Sequence, residues 1–439
     1  MQDELRRREE EDRKRRQKAL KGNRIVDPKL PPRRVWDLYS NRVVPYWATN
    51  SSRWGCPISH AWVDEKDRVD VLTPINGKEW PVPIPKDVDL RLIRIKMLNL
   101  GYEYTWLDVL CLRQVGGRWE DLRMEEWRLD VPTIGYVYDE DKVVIYLSGL
   151  GRPLSLKEGD LDSDWSWFRR AWTVQEVGYA RIIAGDTPDG PMHAEPIDQN
   201  EKYKIEILTQ FRTLPRWGQD IFSTLADMQK RVSTNPVDKV AGLAFPLWPL
   251  TIPTYHESES LEDAWTALVN AMWSGMQVKF LFLYPEAGRG SKKWRPTWEQ
   301  VMTEPLPVDA NCVGSVQHDD EKDEEWYEGP CIEKGCVQGL EAGSAEGHDR
   351  CGELVVEDVD GMVHTFKIIA THQYPILDGS YTLLGDNDPD DEPSEYWAVG
   401  QQLPEQRFEK VSVFAMADIE EARRFNKLGI AVKCHNILV

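Results

Sequence analysis

The chain predicts an α/β protein: a parallel sheet flanked by helices, then a helical extension, then a small strand-rich C-terminal module. Three observations carry this reading. Between residues 34 and 190, short strand-like runs alternate with runs of helical period. Two of those runs, 104–112 and 142–148 (K-V-V-I-Y-L-S), are apolar on both alternating faces, as strands inside a parallel sheet are. Beyond residue 331 strand-like runs recur with a single helical run among them.

Composition sets the limits. At 439 residues the chain has room for two or three domains with sizeable cores. The formal net charge is −20 and the pI is near 5.0, which argues against nucleic acid as a partner, because phosphate binding needs a positive field. No run approaches ~20 apolar residues, so no membrane span is expected. The N-terminal M-Q-D-E-L-R-R-R-E-E-E-D-R-K-R-R-Q has no apolar segment of the secretory type. Seven cysteines, an odd number, fit reduced thiols. Together these features lead us to expect a cytoplasmic protein. The 19 tryptophans point to well-filled cores, since such rings are costly to leave in water.

Residues 1–33 read as a charged N-terminal tail, solvated and unable to dock by itself, ending in the linker K-L-P-P-R-R at 29–34. Residues 56–63 (C-P-I-S-H-A-W-V) form a short strand. A helix over 87–100 follows, with Leu90, Ile93, Met97 and Leu100 at helical spacing and Gly101 as its stop. Residues 102–112 give a strand buried on both faces from Tyr104 onward. Helical spacing over 120–138 is interrupted by Pro132, which should split it. Strands at 142–148 and 181–184 complete the alternation. Ser59, His60, Asp108 and Ser148 then fall towards the carboxyl ends of strands, where ligands bind in such sheets.

Residues 191–310 read as the helical extension, with helices over 205–212, 221–231 and 261–276. Residues 311–330 contain the acidic D-D-E-K-D-E-E-W-Y-E and are expected to be a linker. Residues 331–439 form the strand-rich module, with strands at 354–359, 362–370, 381–384, 411–415 and 429–434 and a helix over 417–428.

The chain is organised around 165–176 (W-S-W-F-R-R-A-W-T-V-Q-E). Read as one amphipathic helix, it sets Arg169, Trp172 and Glu176 on a single stripe. On the residues alone Glu176 is either a working carboxylate or an ion-pair partner of Arg169 or Arg113.

Three blocks carry a family resemblance: I-S-H-A-W at 58–62, W-L-D-V-L-C-L-R-Q at 106–114, and W-F-R-R-A-W-T-V-Q-E at 167–176. In order and approximate spacing they resemble the three signature motifs of the HET (heterokaryon incompatibility) domain of filamentous fungi, with Ile58 where the first motif has leucine. A further stretch, R-V-S-T-N-P-V-D-K-V-A-G-L at 231–243, looks like the segment that often follows this domain. The resemblance spans residues 34 to about 300, with the HET domain itself at 34–190. It implies a flavodoxin-like fold related to the TIR domain, and a role in fungal non-self recognition and the regulated cell death that follows hyphal fusion. Homotypic self-association, and association with other incompatibility proteins, are implied partners. Some TIR domains hydrolyse NAD with a glutamate on a W-x-x-x-E-like motif; Trp172 and Glu176 match it by position. NAD is thus implied as substrate, and no cofactor is expected.

That chemistry suits these residues. Nicotinamide is a cationic leaving group that needs no proton to depart, so one carboxylate suffices where ordinary glycosidases use two. Glu176 would face the ribose, Trp172 would stack on or cover the ring, and His60 or Ser59 would bind ribose or phosphate. Asp108 would contact ribose, position Arg113, cap a helix or pair with Arg170, which is itself a candidate substrate-binding residue. The competing class is non-enzymatic: an assembly module whose toxicity follows from oligomerisation. Cys111 is expected to be a buried packing thiol. Cys331, Cys336, His348 and Cys351 have zinc-ligand types but loose spacing, so free thiols are expected. The acidic loop 386–392 lacks the glycine of a calcium loop and is expected to be solvated.

Overall fold

The computed structural model describes residues 2–139, 142–154, 159–185, 192–193, 202–214, 220–247, 250–319, 322, 324–342, 349–387 and 393–439. The chain divides into one unit of Met1–Gln219 with Lys230–Ala271 and another of Asp220–Gln229 with Met272–Val439.

The first unit is built on a sheet of seven strands: β1 (Arg34–Asp37), β2 (Arg42–Pro45), β3 (Cys56–His60), β6 (Tyr104–Leu107), β7 (Lys142–Tyr146), β8 (Ala180–Ile183) and β9 (Met192–His193). A separate antiparallel hairpin pairs β4 (Arg68–Val71) with β5 (Val82–Pro85). The sheet order is β9-β8-β7-β3-β6-β1-β2. β8, β7, β3 and β6 run parallel, as the alternation predicts. The flanks are antiparallel, so the sheet is mixed rather than purely parallel. Ile58, Leu107 and Val143–Ile145 on the central strands are fully buried, which explains their continuous apolar runs. Gly55 leads into β3 at φ +86°, and a Cβ there would strike the Tyr104 carbonyl; only glycine permits that close approach.

Several expectations change. The strand expected over 102–112 ends at Leu107, and Asp108 opens a short helix, Asp108–Cys111. The helix expected over 87–100 is Leu90–Asn99, capped by the Asp89 side chain accepting from the Arg91 amide. Pro132 divides 120–138 into helices Glu120–Asp130 and Ile134–Tyr138, as foreseen. The charged tail is no free tail. Residues Gln2–Ala19 form a helix whose Arg16 and Ala19 are buried. Arg16 pairs with Asp12 at 2.9 Å and Asp130 at 3.2 Å, and Arg33 reaches Asp130 at 2.7 Å. Local composition could not show this, because docking here runs through buried charge pairs rather than an apolar stripe.

The second unit holds a closed barrel, antiparallel except where its last strand pairs in parallel with the strand before it in sequence. Its strands are β10 (Val316–Asp319), β11 (Glu324–Gln338), β12 (Arg350–Glu357), β13 (Val363–Ala370), β14 (Gly379–Gly385), β15 (Tyr396–Leu403), β16 (Arg407–Met416) and β17 (Val432–Leu438). Pairing runs β11-β12-β13-β16-β15-β14 and returns to β11, leaving these six strands without a free edge. Phe366, Leu383, Val399 and Phe414 are in the core, with Phe425 of helix Ile419–Asn426 against them. Part of the stretch expected as an acidic linker is strand. In β11 Tyr327 is buried, and Glu325 is buried and paired with Lys292 at 2.5 Å. β15 gave no sequence signal. The helix expected over 261–276 ends at Ala271, and a new one begins at Ser274. In this unit the buried Lys410 amine donates to the carbonyls of Phe280 (2.7 Å) and Tyr284 (2.6 Å), closing the end of helix Ser274–Phe282.

Candidate functional site

Beyond the carboxyl ends of β3 and β6 lies a cleft of about 1090 Å³. It is lined from β3 and its exit loop (His60, Trp62), from the start of the 108–111 helix (Asp108), from the 68–71/82–85 hairpin (Arg68, Pro83), and from Arg170, Trp172 and Glu176. Asp238 and Tyr255 complete the wall. Of the residues singled out by sequence, His60, Asp108, Arg170, Trp172 and Glu176 all line this space. Ser59 lies beneath it, and Ser148, though beyond the end of β7, is not in its lining.

The segment carrying Glu176 is not the helix expected. It forms two 3-10 turns, Trp167–Arg169 and Trp172–Gln175, separated by extended backbone at Arg170. The cause is a pairing that local periodicity cannot reveal. The Ala171 amide donates to the Val232 carbonyl at 2.9 Å, and the Val232 amide donates to Arg169 at 2.6 Å. Arg231, 1% exposed, fixes the break by donating to the Arg170 carbonyl at 2.7 Å and to Thr173 Oγ1 at 2.9 Å. The Thr173 hydroxyl in turn donates to the Trp167 carbonyl at 2.6 Å. The single stripe of Arg169, Trp172 and Glu176 therefore does not exist, yet Trp172 and Glu176 still face one cleft.

The ion-pair reading of Glu176 does not hold among the described residues. Arg169 lies with Asp164 at 3.7 Å, and Arg113 pairs with Glu79 at 2.9 Å and Glu126 at 3.3 Å. Glu176 instead accepts a 2.5 Å hydrogen bond from the Ser59 hydroxyl, which itself accepts from the Trp167 indole at 2.6 Å. Ser59 is 0% exposed, so it orients Glu176 and does not meet a ligand, contrary to the expectation for it. Burial, reinforced by the nearby Asp108 charge, raises the Glu176 pKa to about 7 against the pull of Ser59, His60 and Arg170.

Asp108 is ionised through His60. His60 Nε2 lies 3.0 Å from Asp108 Oδ1, and Nδ1 faces the Ala61 carbonyl at 3.2 Å. Both ring nitrogens face acceptors, which suits the imidazolium. Burial works against that charge, but the Asp108 carboxylate outweighs it and the His60 pKa rises. Reciprocally, burial would raise the Asp108 pKa, and His60 with the Val109 amide (2.8 Å) brings it below the ordinary range. The cleft floor thus has one neutralised pair and one carboxyl poised to titrate near neutrality.

The opposite wall is aromatic. Trp172 lies 6.2 Å from the Tyr255 ring. Tyr255 donates to Asp238 at 2.7 Å. Asp238 and Tyr255 were missed by sequence reading, although Asp238 falls within the 231–243 stretch flagged there. In the sequence Trp62 stands out only as the last letter of I-S-H-A-W. Its ring is stacked near His60 at 6.0 Å. Cys111 is a packing thiol as expected, and burial pushes its pKa up to about 12.

Among the described residues no cluster of three or more histidine, cysteine or acidic side chains is arranged to hold a metal ion. Cys331, Cys336 and Cys351 are free thiols; His348 and residues 388–392 of the acidic loop lie outside the described residues. No helix among the described residues is long and apolar enough to cross a membrane. Comparisons with protein-family models, with curated proteins and with solved structures returned no match for this chain.

Proposed function

We propose that the cleft cleaves the nicotinamide–ribose bond of NAD, and that the chain is an effector of the HET type acting in non-self recognition and regulated cell death. The observation that carries the reading is Glu176: a carboxyl in the cleft lining, without an ion-pair partner among the described residues, hydrogen-bonded by Ser59 and with its pKa near 7. This is what a group needs that must be anionic in the transition state and accept a proton afterwards.

The C1′–N bond breaks and its electron pair leaves with nicotinamide, neutralising the pyridinium nitrogen. Ionised Glu176 stabilises the oxocarbenium-like ribose. Water then adds at C1′, and its proton passes to Glu176 and on to solvent. Trp172, in the cleft lining, covers the ring and excludes bulk water. The neighbouring Asp108 carboxylate, held by His60, offers an acceptor oxygen to the ribose hydroxyls.

The test is nicotinamide release from NAD by the purified full chain at high concentration, beside Glu176→Gln. Release by the native chain that is lost in the variant supports the reading. No release by the native chain, even in forced oligomers, would move the function to the assembly class, in which self-association alone is toxic.

A further inference from the structure

The cleft contains cations that the bond-breaking step leaves unused. Arg68, at the start of β4, and Arg170, at the extended break, each place the guanidinium carbon 5.1 Å from the centre of the Trp62 ring. Two planar cations packed on one indole are pre-organised and have little freedom to lose on binding. Neither is well neutralised. Among the described residues Arg68 has one loose ion pair, to the exposed Glu65 at 3.7 Å. Arg170 makes no ion pair among the described residues; Glu176, Asp108 and Asp238 act on it only at longer range, and burial lowers its pKa to about 10. A half-buried cation without a close counter-charge is unfavourable until an anion arrives.

Two guanidinium forks suit the several oxygens of a diphosphate better than a single carboxylate. The location also fits. Arg170 is near enough to Glu176 for each to perturb the other's ionisation, and in a dinucleotide one methylene joins the reacting ribose to the diphosphate. The cleft, at about 1090 Å³, is at the upper end of ligand pockets, larger than a lone nucleoside needs.

We infer that Arg68 and Arg170, packed on Trp62, hold the diphosphate bridge of a dinucleotide, so that the protein selects NAD over nicotinamide riboside. This rests on the N-ribosyl cleavage reading for the identity of the substrate, and on the arginine geometry alone for the anion subsite.

The experiment separates the two. Calorimetric titration of the full chain with ADP-ribose and with inorganic pyrophosphate needs no turnover. An Arg68→Ala/Arg170→Ala double variant should bind both roughly 10- to 100-fold more weakly, as expected for losing charge-assisted hydrogen bonds. It should raise KM for NAD by a similar factor relative to KM for nicotinamide riboside. Arg170→Lys, which keeps the charge and tests for simple misfolding, should recover part of the loss. Unchanged binding in the double variant, or equal weakening towards NAD and the riboside, would overturn the subsite. Native protein that binds ADP-ribose through these arginines but releases no nicotinamide would sink the cleavage reading and leave the subsite standing. Native protein that binds neither probe would remove the subsite.

Discussion

The Ser59 hydroxyl donates to Glu176 at 2.5 Å while accepting from the Trp167 indole at 2.6 Å. A residue at the end of a central strand is thereby locked to two residues of the 167–176 segment, and the lock sets both the aim and the acidity of Glu176. Ser59→Ala removes a donor to the carboxylate, so the Glu176 pKa should rise further. The alkaline-going limb of the activity profile should move to higher pH, with lower activity at pH 7. Stability should fall by about 1–3 kcal/mol. A pH–rate profile of the variant that superimposes on that of the native chain would contradict this coupling.

Glu176 also makes stability depend on pH. Its pKa is near 7 when folded, against the ordinary 4.5. The folded state therefore holds a proton that the unfolded chain has already lost. That contribution is present below about pH 4.5 and is lost as pH rises through 7, by at most about 3 kcal/mol. Glu176→Gln should lack this decline and melt at a higher temperature than the native chain at pH 8, while losing the proposed cleavage. Melting curves from pH 5 to 8 check it; parallel declines in both proteins would contradict the assignment.

Arg231 should matter beyond its distance from the chemistry. It holds the extended break at Arg170 and Thr173, on which the placement of Trp172 and Glu176 depends. Arg231→Met should cost about 2–4 kcal/mol and reduce the proposed NAD cleavage more than about tenfold, since small misplacements near reacting atoms are costly. Full activity in a folded Arg231→Met protein would show that the break is held by the Val232 pairing alone.

Asp130 anchors the N-terminal helix. It is buried and receives Arg16 and Arg33; burial opposes its charge, but the two guanidiniums bring its pKa below the ordinary 3.8. Its contribution is present above that value and is lost as pH falls. Asp130→Ala removes the buried carboxylate that Arg16 and Arg33 share, leaving Arg16 with Asp12 and Arg33 with a 3.9 Å approach to Glu126, and should destabilise by about 3–5 kcal/mol. Its melting temperature should also fall less steeply with acid than that of the native chain. Urea unfolding at pH 7 measures the first, and thermal melts taken from about pH 5 down to about pH 2.5 measure the second.

Much of the first unit was legible in the sequence. Strands β3, β6, β7 and β8 announce themselves as apolar runs because both faces of a central parallel strand are buried. The break at Pro132 follows from a missing N–H. His60, Asp108, Trp172 and Glu176 could be gathered because strand ends and motif order put them near one edge. Three things were hidden. The 167–176 segment has helical periodicity but lacks helical backbone, because residue 232 captures its amides. The first 19 residues look solvated because their partner, Asp130, is more than a hundred positions away. The acidic run near 325 looks like a linker because the lysine that neutralises Glu325 lies 33 residues before it.

The sequence by itself determined the parallel centre of the sheet, the edge at which side chains gather and the residue types available there, because burial and backbone stereochemistry act locally along the chain. Only the tertiary structure decided that Ser59 serves Glu176, that Asp108 is matched to His60, and that Arg68 and Arg170 share one tryptophan. Those pairings depend on through-space distances of a few ångströms between residues up to 117 positions apart, and the charges they set depend on burial that no local pattern records.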